Sequence, residues 1–188
     1  MDELCSIKLN DMKKTFFQQK TPSAKNSVRF SQSFPVNVPV EKIDLYKWIT
    51  EMNDQDYRSY STAHKAIGSY TRGNRFYMTN VENIGTDTVI QNYELKSHAP
   101  NSIQLYSAKS RAYIMRWFPV TVGVPWEIYV QPVSSTSSRL ICLIGVDYPN
   151  LLLRIAAWIN GLGGFFLRRH LRIEGKAFAI DVERKFKS

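Results

Sequence analysis

The sequence predicts an α+β domain in which a curved antiparallel β-sheet wraps around one long C-terminal α-helix. From about residue 66 to 147, apolar residues recur every second position, and polar turn signals separate the apolar runs. After Asp147-Tyr148-Pro149 the apolar period becomes helical, and a long closing helix is expected over Phe165–Phe186. Sequential strands joined by short polar loops are typical of an antiparallel meander.

The chain before the meander is expected to contain a leader, a strand and two short helices. Residues 1–27 are polar and predict a loosely ordered leader, followed by one domain over 28–188. The alternation of apolar residues over 27–34 predicts a half-buried strand. Pro39 is expected to start a helix over 40–49, and a second helix should follow Asn53 or Asp54.

The meander is then divided by its turn signals. Turns are expected at 71–74, 82–86, 98–102 and 134–138, and the strands between them at 75–81, 88–96, 103–108, 112–119, 126–133 and 140–147.

The segment between the meander and the closing helix is apolar but interrupted. Residues 150–160 should be helical, and the Gly161-Leu162-Gly163-Gly164 cluster predicts a hinge or gate, so that 148–166 would border a cavity mouth. The apolar run over 151–167 is shorter than the roughly twenty residues that span a bilayer, and it contains Arg154 and Asn160. We therefore expect no transmembrane helix here.

The composition favours a non-secreted globular protein. The chain has 188 residues, 44% of them hydrophobic and 13% aromatic, which suits either a core or a ligand pocket. Cys5 and Cys142 do not form a disulfide framework, and the N-terminus lacks the features of a signal peptide. A reducing, cytoplasmic location is the resulting expectation.

The net charge of +9 raises the question of an acidic partner. Residues 150–188 contain eight basic and three acidic side chains, a local charge of +5. This surface could contact anionic lipid at the membrane periphery, or it could be an ordinary solvated helix face. Nucleic acid is disfavoured because the aromatic residues lie in strands, apart from most of the charge.

Three passages resemble the START-like, or helix-grip, superfamily of pollen-allergen-type proteins, polyketide cyclases and lipid-transfer domains. They are Phe34-Pro35-Val36 leading to the helix after Pro39, the meander, and the closing-helix stretch 167–178. The resemblance spans roughly residues 28–187, and the glycine-interrupted segment at 150–164 departs from it. It implies a hydrophobic cavity between the concave sheet face and the last helix, and no universal catalytic signature.

Three functions are compatible with this resemblance. The cavity could bind a lipid, a polyketide or an aromatic metabolite, which is the favoured hypothesis. A cyclase or dehydratase could act on such a molecule in the same cavity. A subunit could instead dock on a membrane or a protein through the basic helix, since fold alone does not determine function.

Strand alternation suggests which side chains line the cavity, although both faces of the 110–120 stretch carry large apolar groups. A slip of one residue would therefore invert the assignment, and a filled core is the alternative. The expected ligand-binding residues are Phe76, Tyr93, Tyr113, Met115, Trp117, Tyr129 and Phe178.

Acid–base candidates come from the sheet and from the closing helix. They are Tyr113, Arg116, Glu127, Glu174 and Asp181. Leu171, Glu174, Phe178 and Asp181 share one helix face, where burial would raise a carboxyl pKa. In the alternative, that face is exposed and Ile173, Ala177 and Ile180 point inward.

Metal and cofactor sites are not predicted. His170 and Glu174, at i and i+4, could hold a metal, but the sequence shows no third ligand. The glycine cluster does not follow a strand, so it is not a nucleotide site. No nucleophilic triad is evident from the spacing, and no cofactor is expected.

Overall fold

The computed structural model of the chain describes residues 26–159 and 164–187. The predicted leader, apart from Asn26 and Ser27, lies outside the described residues, and so do residues 160–163 of the predicted gate.

The described residues contain a seven-stranded antiparallel sheet, which confirms the α+β prediction. Its order is β1-β7-β6-β5-β4-β3-β2, so the first strand pairs with the last one and the others form a meander. The strands are β1 Ser27–Val36, β2 His64–Arg72, β3 Arg75–Ile84, β4 Asp87–Ala99, β5 Ser102–Ile114, β6 Phe118–Pro132 and β7 Ser138–Asp147. Cys142 is a buried free thiol within β7, as the sequence predicts.

The helices of the described part are α1 Leu45–Thr50, α2 Asp54–Tyr60, α3 Leu151–Ile159 and α4 Phe165–Phe186. Both α2 and α4 lie where the sequence predicts them. The predicted helix over 40–49 is instead divided into a 3₁₀ turn and α1, because Ile43 is extended and Asp44 caps a new helix by accepting a hydrogen bond from the Lys47 N–H. None of the described helices is both long and apolar enough to cross a membrane.

The turn between β5 and β6 differs from the prediction. The separately predicted strands 103–108 and 112–119 are joined in one continuous β5 with a bulge between Ser107 and Ser110, and the chain reverses at Met115-Arg116-Trp117. Met115 and Arg116 have φ values of 50° and 67°, a region that side chains other than Gly, Asn and Asp rarely adopt. The Asp87 carboxylate accepts a hydrogen bond from the Met115 N–H at 2.8 Å. The Met115-Arg116-Trp117 turn contains none of the residues that favour turns, so the hydrogen bond to Asp87 of another strand stabilises it.

Helix α4 packs on the sheet through the face that carries carboxylates. Leu171, Glu174, Phe178 and Asp181 are at most 4% exposed, whereas Ile173 and Ile180 are exposed. The alternative with the isoleucines inward is therefore wrong. Phe178 lies at the centre of the core, where its ring contacts those of Trp48, Tyr60 and Trp126.

Close approach between α4 and β1 depends on Gly175. A Cβ atom at this position would lie 2.2 Å from the buried ring of Phe34. The absence of a side chain therefore sets the distance between the helix and the first strand.

We expect Gly175→Ala to lower the free energy of unfolding by about 1–3 kcal/mol, the usual cost of overpacking a core. Alanine is the better helix former by about 1 kcal/mol, so a loss of stability would have to come from the contact with Phe34. Urea denaturation measures the effect, and exposed Lys176→Ala on the same helix is the control. Equal stability of Gly175→Ala and the wild type would contradict this account.

Candidate functional site

A cavity of about 80 Å³ lies between the concave sheet face and helices α3 and α4. Most of its walls are apolar, and alternate residues of β6, Val120, Val122, Val124 and Trp126, form one side. This two-residue period is what a strand with one face toward a cavity requires.

Helix α3 covers the cavity but buries little of its own apolar surface. Leu153 and Ala157, from the segment predicted to border the cavity mouth, line the cavity. By contrast, Leu152, Trp158 and Ile159 are 71–79% exposed. That this segment acts as a hinge or gate stays a prediction.

A cluster of two histidines and two glutamates lies at the polar end of the cavity. Glu82 projects from β3, His170 and Glu174 from successive turns of α4, and His64 from the start of β2. Glu82, His170 and Glu174 line the cavity, and all four side chains are at most 7% exposed.

The nitrogen and oxygen atoms of this cluster converge. His64 Nε2 lies 3.2 Å from Glu174 Oε1, and His170 Nε2 lies 3.2 Å from Glu82 Oε2 and 3.5 Å from Glu174 Oε2. One ligand atom from each of the four residues can be chosen such that all lie within 4.8 Å of one another.

A second layer of hydrogen bonds orients the cluster. His64 Nδ1 lies 2.7 Å from the carbonyl oxygen of Tyr57, and the two rings stack. Glu82 accepts hydrogen bonds from the Tyr57 hydroxyl and from Asn80 Nδ2. These contacts fix the imidazole ring and one carboxylate before any ligand binds.

The charges of the cluster stabilise one another. Burial acts to raise the pKa of the Glu82 carboxyl, but the neighbouring His170 and His64 hold it well below its ordinary value. Burial likewise acts to lower the pKa of His170, but Glu174 and Glu82 raise it above the ordinary range. The charged forms of His170 and Glu82 therefore stabilise each other.

Three further polar atoms of cavity residues are buried without a hydrogen-bond partner among the described residues. They are Asn80 Oδ1, Gln91 Oε1 and Trp126 Nε1. Unpaired buried polar atoms cost free energy and are rare in folded proteins, so such a group at a cavity points to a ligand.

The structure places the predicted ligand-binding residues in four different environments. Tyr93 lines the cavity, while Phe76 and Phe178 are buried in the core beside it. Met115 and Trp117 belong to the β5–β6 turn, and Trp117 is 82% exposed. Tyr113 and Tyr129 lie on the opposite face of the sheet, because each is an odd number of positions from a residue of its own strand that lines the cavity, Ala112 in β5 and Trp126 in β6. The prediction placed the wrong faces of β5 and β6 toward the cavity. Aromatic side chains lie on both faces of these strands, so they do not indicate which face is inside.

Of the predicted acid–base residues, only Glu174 lies at the cavity. Arg116 is in the exposed turn, and Glu127, with a pKa raised by burial, shares the outer face with Tyr113. Asp181 is buried away from the cavity, where it accepts hydrogen bonds from Trp48 Nε1 at 2.8 Å and from the Tyr60 hydroxyl at 2.7 Å.

His64 and Glu82 are the cluster members that the sequence analysis missed, and they correct its statement that no third metal ligand is evident. Glu82 was assigned to a turn, although Met78, Asn80, Glu82 and Ile84 continue the alternation of β3. His64 precedes the residues that were assigned to the meander. Extending the period-two pattern by a few residues would have found Glu82.

Comparison with known proteins shows similarity in structure only. No protein-family model matches the sequence, and no curated protein matches it. Among solved structures, the aromatase/cyclase Zhui from Streptomyces sp. R1128 is 8% identical, with a TM-score of 0.55 over 86% of this chain and 94% of that one.

Two further structures extend this comparison. A START superfamily protein from Mycobacterium smegmatis is 14% identical, with a TM-score of 0.52 over 83% of this chain and 97% of that one. Major latex-like protein 151 from Panax ginseng is 6% identical, with a TM-score of 0.55 over 83% and 97% of the two chains. The chain therefore has the START-like, helix-grip fold.

The pH dependence of stability tests whether the buried Asp181 carboxylate and its hydrogen bonds stabilise the fold. Burial acts to raise the pKa of Asp181, but hydrogen bonds from Tyr60, Trp48 and the basic residues beside it hold the pKa below its ordinary value. The ionised form therefore stabilises the fold. This contribution is fully present above the unfolded pKa of about 3.9 and is lost as the pH falls through the folded value.

We expect Asp181→Asn to lower the free energy of unfolding by about 2–3 kcal/mol at neutral pH, as loss of hydrogen bonds to a charged group does. The difference from the wild type should shrink as the pH falls below about 3.9, because the unfolded wild type then binds a proton that the folded carboxylate accepts only at lower pH. Denaturation curves between pH 3 and 8 measure it, with exposed Glu51→Gln as the control. A difference that stays constant down to pH 3 would contradict the assignment.

Proposed function

We propose that the protein binds a small, mainly apolar molecule with a polar end in the cavity beneath α3 and α4. One observation supports this above all: an apolar cavity whose lining includes Asn80, Gln91 and Trp126, each of which has a buried polar atom without a partner among the described residues. Two acceptors and one donor match a hydroxyl or carbonyl group, and the apolar walls match a hydrocarbon body.

The size of the cavity limits the ligand in this arrangement. A volume of about 80 Å³ holds roughly five to eight water molecules or a small ring compound. A lipid or polyketide needs a larger space, and α3 is the element that can provide it. Only Leu153 and Ala157 of this helix line the cavity, so moving it away exposes little additional apolar surface.

We expect Gln91→Leu to weaken naphthol binding about 5- to 30-fold while leaving naphthalene binding nearly unchanged. Naphthol can donate a hydrogen bond to Gln91 Oε1, whereas naphthalene cannot, and one such bond contributes about 1–2 kcal/mol. The same variant should be as stable as the wild type or more so, since it removes an unpaired buried polar group. Fluorescence titration and urea denaturation measure the two effects.

Val122→Phe is the control that locates the probe. It fills the cavity and should abolish binding of both compounds, whereas Val133→Phe, at an exposed position, should not. If neither compound binds the wild type, or if Val122→Phe binds as well as the wild type, the cavity is not the binding site. Native mass spectrometry of the purified protein would then identify any natural ligand.

A cyclase- or dehydratase-type enzyme is the second candidate, and the polar cluster is the observation that favours it. Glu82, His170 and Glu174 present carboxylate and imidazole groups to the same cavity, as general acid–base catalysis requires. The aromatase/cyclase Zhui shares the fold. Turnover of the bound molecule that is lost in Glu82→Gln, with its binding retained, would distinguish an enzyme from a carrier.

Peripheral membrane contact is a further candidate, favoured by exposed apolar side chains at one end of the molecule. We call these side chains the apolar rim. They are Met115, Trp117, Phe118, Leu151, Leu152, Ile155, Trp158, Ile159 and Phe165, and each is 46–82% exposed. Contiguous exposed apolar surface of this kind marks a protein or membrane contact.

Contacts between the turns and helices place the rim at one end of the cavity. Asp87, at the start of β4, binds the β5–β6 turn, and Gly85 lies against Phe166 beside the rim residue Phe165. Asp87 and Ile114, next to the turn, line the cavity together with Leu153 of α3. The rim therefore surrounds the end of the cavity that α3 covers.

Positive charge beside the rim supports an anionic bilayer as the occupant. Arg168, Arg169 and Arg172 share a surface groove with Trp158 and Phe165. Exposed Trp and Phe next to arginines match the boundary between acyl chains and anionic headgroups.

We expect the wild type to bind vesicles of phosphatidylcholine with phosphatidylserine more tightly than vesicles of phosphatidylcholine alone. Arg169→Ala and Arg172→Ala should each weaken binding roughly 5-fold, the effect of one basic residue near such a surface. Leu152→Ser with Trp158→Ser should abolish it, whereas Tyr70→Ser with Val133→Ser, exposed positions outside the rim, should not. Co-sedimentation measures binding, and equal binding to both vesicle types would contradict the proposal.

A further inference from the structure

We propose that His64, Glu82, His170 and Glu174 form a binding site for one divalent transition-metal ion at the polar end of the cavity. This inference goes beyond the proposed ligand binding, and it holds whether or not an apolar molecule occupies the rest of the cavity.

The separations among the four ligand atoms are close to those of a metal centre. Zinc binds histidine nitrogen and carboxylate oxygen at about 2.0–2.2 Å, which places neighbouring ligand atoms of a tetrahedral site roughly 3.4 Å apart. The three measured contacts in the cluster are 3.2, 3.2 and 3.5 Å. The largest separation between two of these atoms is at most 4.8 Å. Moving one ligand atom by about 1 Å through a side-chain rotation would therefore bring the four atoms close to tetrahedral spacing.

His64 is oriented as a ligand by its backbone contact. Its Nδ1 donates a hydrogen bond to the carbonyl oxygen of Tyr57 at 2.7 Å, so the neutral ring carries its lone pair on Nε2. That nitrogen is fully buried, faces Glu174 and has no hydrogen-bond partner among the described residues. A metal ion that takes the place of the proton on Nε2 would lie between this nitrogen and the Glu174 carboxylate.

The orientation of the Glu82 carboxylate is also fixed by hydrogen bonds from groups that are not among the four proposed ligands. The Tyr57 hydroxyl and Asn80 Nδ2 donate to its Oε1, while Oε2 lies toward His170. Metal ligands in proteins are commonly fixed by such outer hydrogen bonds, and loss of one typically weakens metal affinity 10- to 100-fold. Tyr57 supports both His64 and Glu82, so a single residue orients two of the four ligands.

The charge of the site suits a divalent ion. With both imidazoles protonated and both carboxylates ionised, the four side chains sum to zero. A divalent ion that replaces the two imidazole protons leaves that sum unchanged, so the buried site gains no net charge. Two imidazole and two carboxylate ligands are a set that Zn²⁺, Fe²⁺ and Co²⁺ accept, and Glu82, His170 and Glu174 place the site at the cavity wall.

The test is a titration of chelator-treated full-length protein with Zn²⁺ and Co²⁺. We expect one ion per chain by elemental analysis, a Co²⁺ visible spectrum of mixed nitrogen and oxygen ligation, and a melting temperature that rises with Zn²⁺ concentration. H64Q and E174Q should each weaken Zn²⁺ binding at least 100-fold, and Asn80→Ala about 10- to 100-fold, as expected for an outer-layer partner.

His98→Ala is the matched control, because His98 is the remaining histidine of the chain and is exposed. It should bind Zn²⁺ like the wild type. Wild-type protein that binds no stoichiometric Zn²⁺ or Co²⁺, or binding that is lost in His98→Ala, would overturn the proposal and leave the cluster as an ion-pair network. Should the ligand variants fail to fold, the wild type and His98→Ala still decide the matter. Naphthol binding is measured separately, so loss of the metal site and loss of the ligand proposal give different results.

Discussion

The structure depends on burying one face of α4 that carries two carboxylates. A buried carboxylate without partners costs several kcal/mol, so the elements around α4 must supply donors. Asp181 receives them from Trp48 of α1 and Tyr60 of α2, and Glu174 lies against His64 and His170. The two short helices and the start of β2 are therefore placed by the charges of α4 as well as by apolar packing.

The two carboxylates differ in what surrounds them. Asp181 is hydrogen-bonded on both oxygens, by buried aromatic donors and by Lys185 and Arg184 near the surface, and it does not line the cavity. Glu174 lies at a cavity, among polar atoms that have no partner in the described chain. Fully satisfied polar groups stabilise a fold, whereas unsatisfied ones indicate a function that requires them. Of the two carboxylates on this helix face, only Glu174 therefore lies at the cavity for which we propose a function.

The sequence predicts the architecture well because strand and helix periods are local properties. It predicts the bounds of α4 and the start of α2 correctly, since apolar spacing and an Asn53 cap mark them. It fails at the Met115–Trp117 turn, which is held by Asp87 from another strand, and at the faces of β5 and β6, which both carry large apolar groups. Glu174 was predicted, whereas its partner His64 is 110 positions away and only the fold brings the two together.

The two ends of the cavity explain why α3 exposes so much apolar surface. If the polar cluster at one end binds the reactive or polar part of a ligand, the hydrocarbon part must enter from the end that α3 covers. A cover packed tightly on the cavity would be stable but would block entry. Only Leu153 and Ala157 of α3 line the cavity, while Trp158 and Ile159 remain exposed. A membrane that contacts those exposed side chains compensates for the apolar surface released when α3 moves, so opening would be favoured where apolar ligands are found.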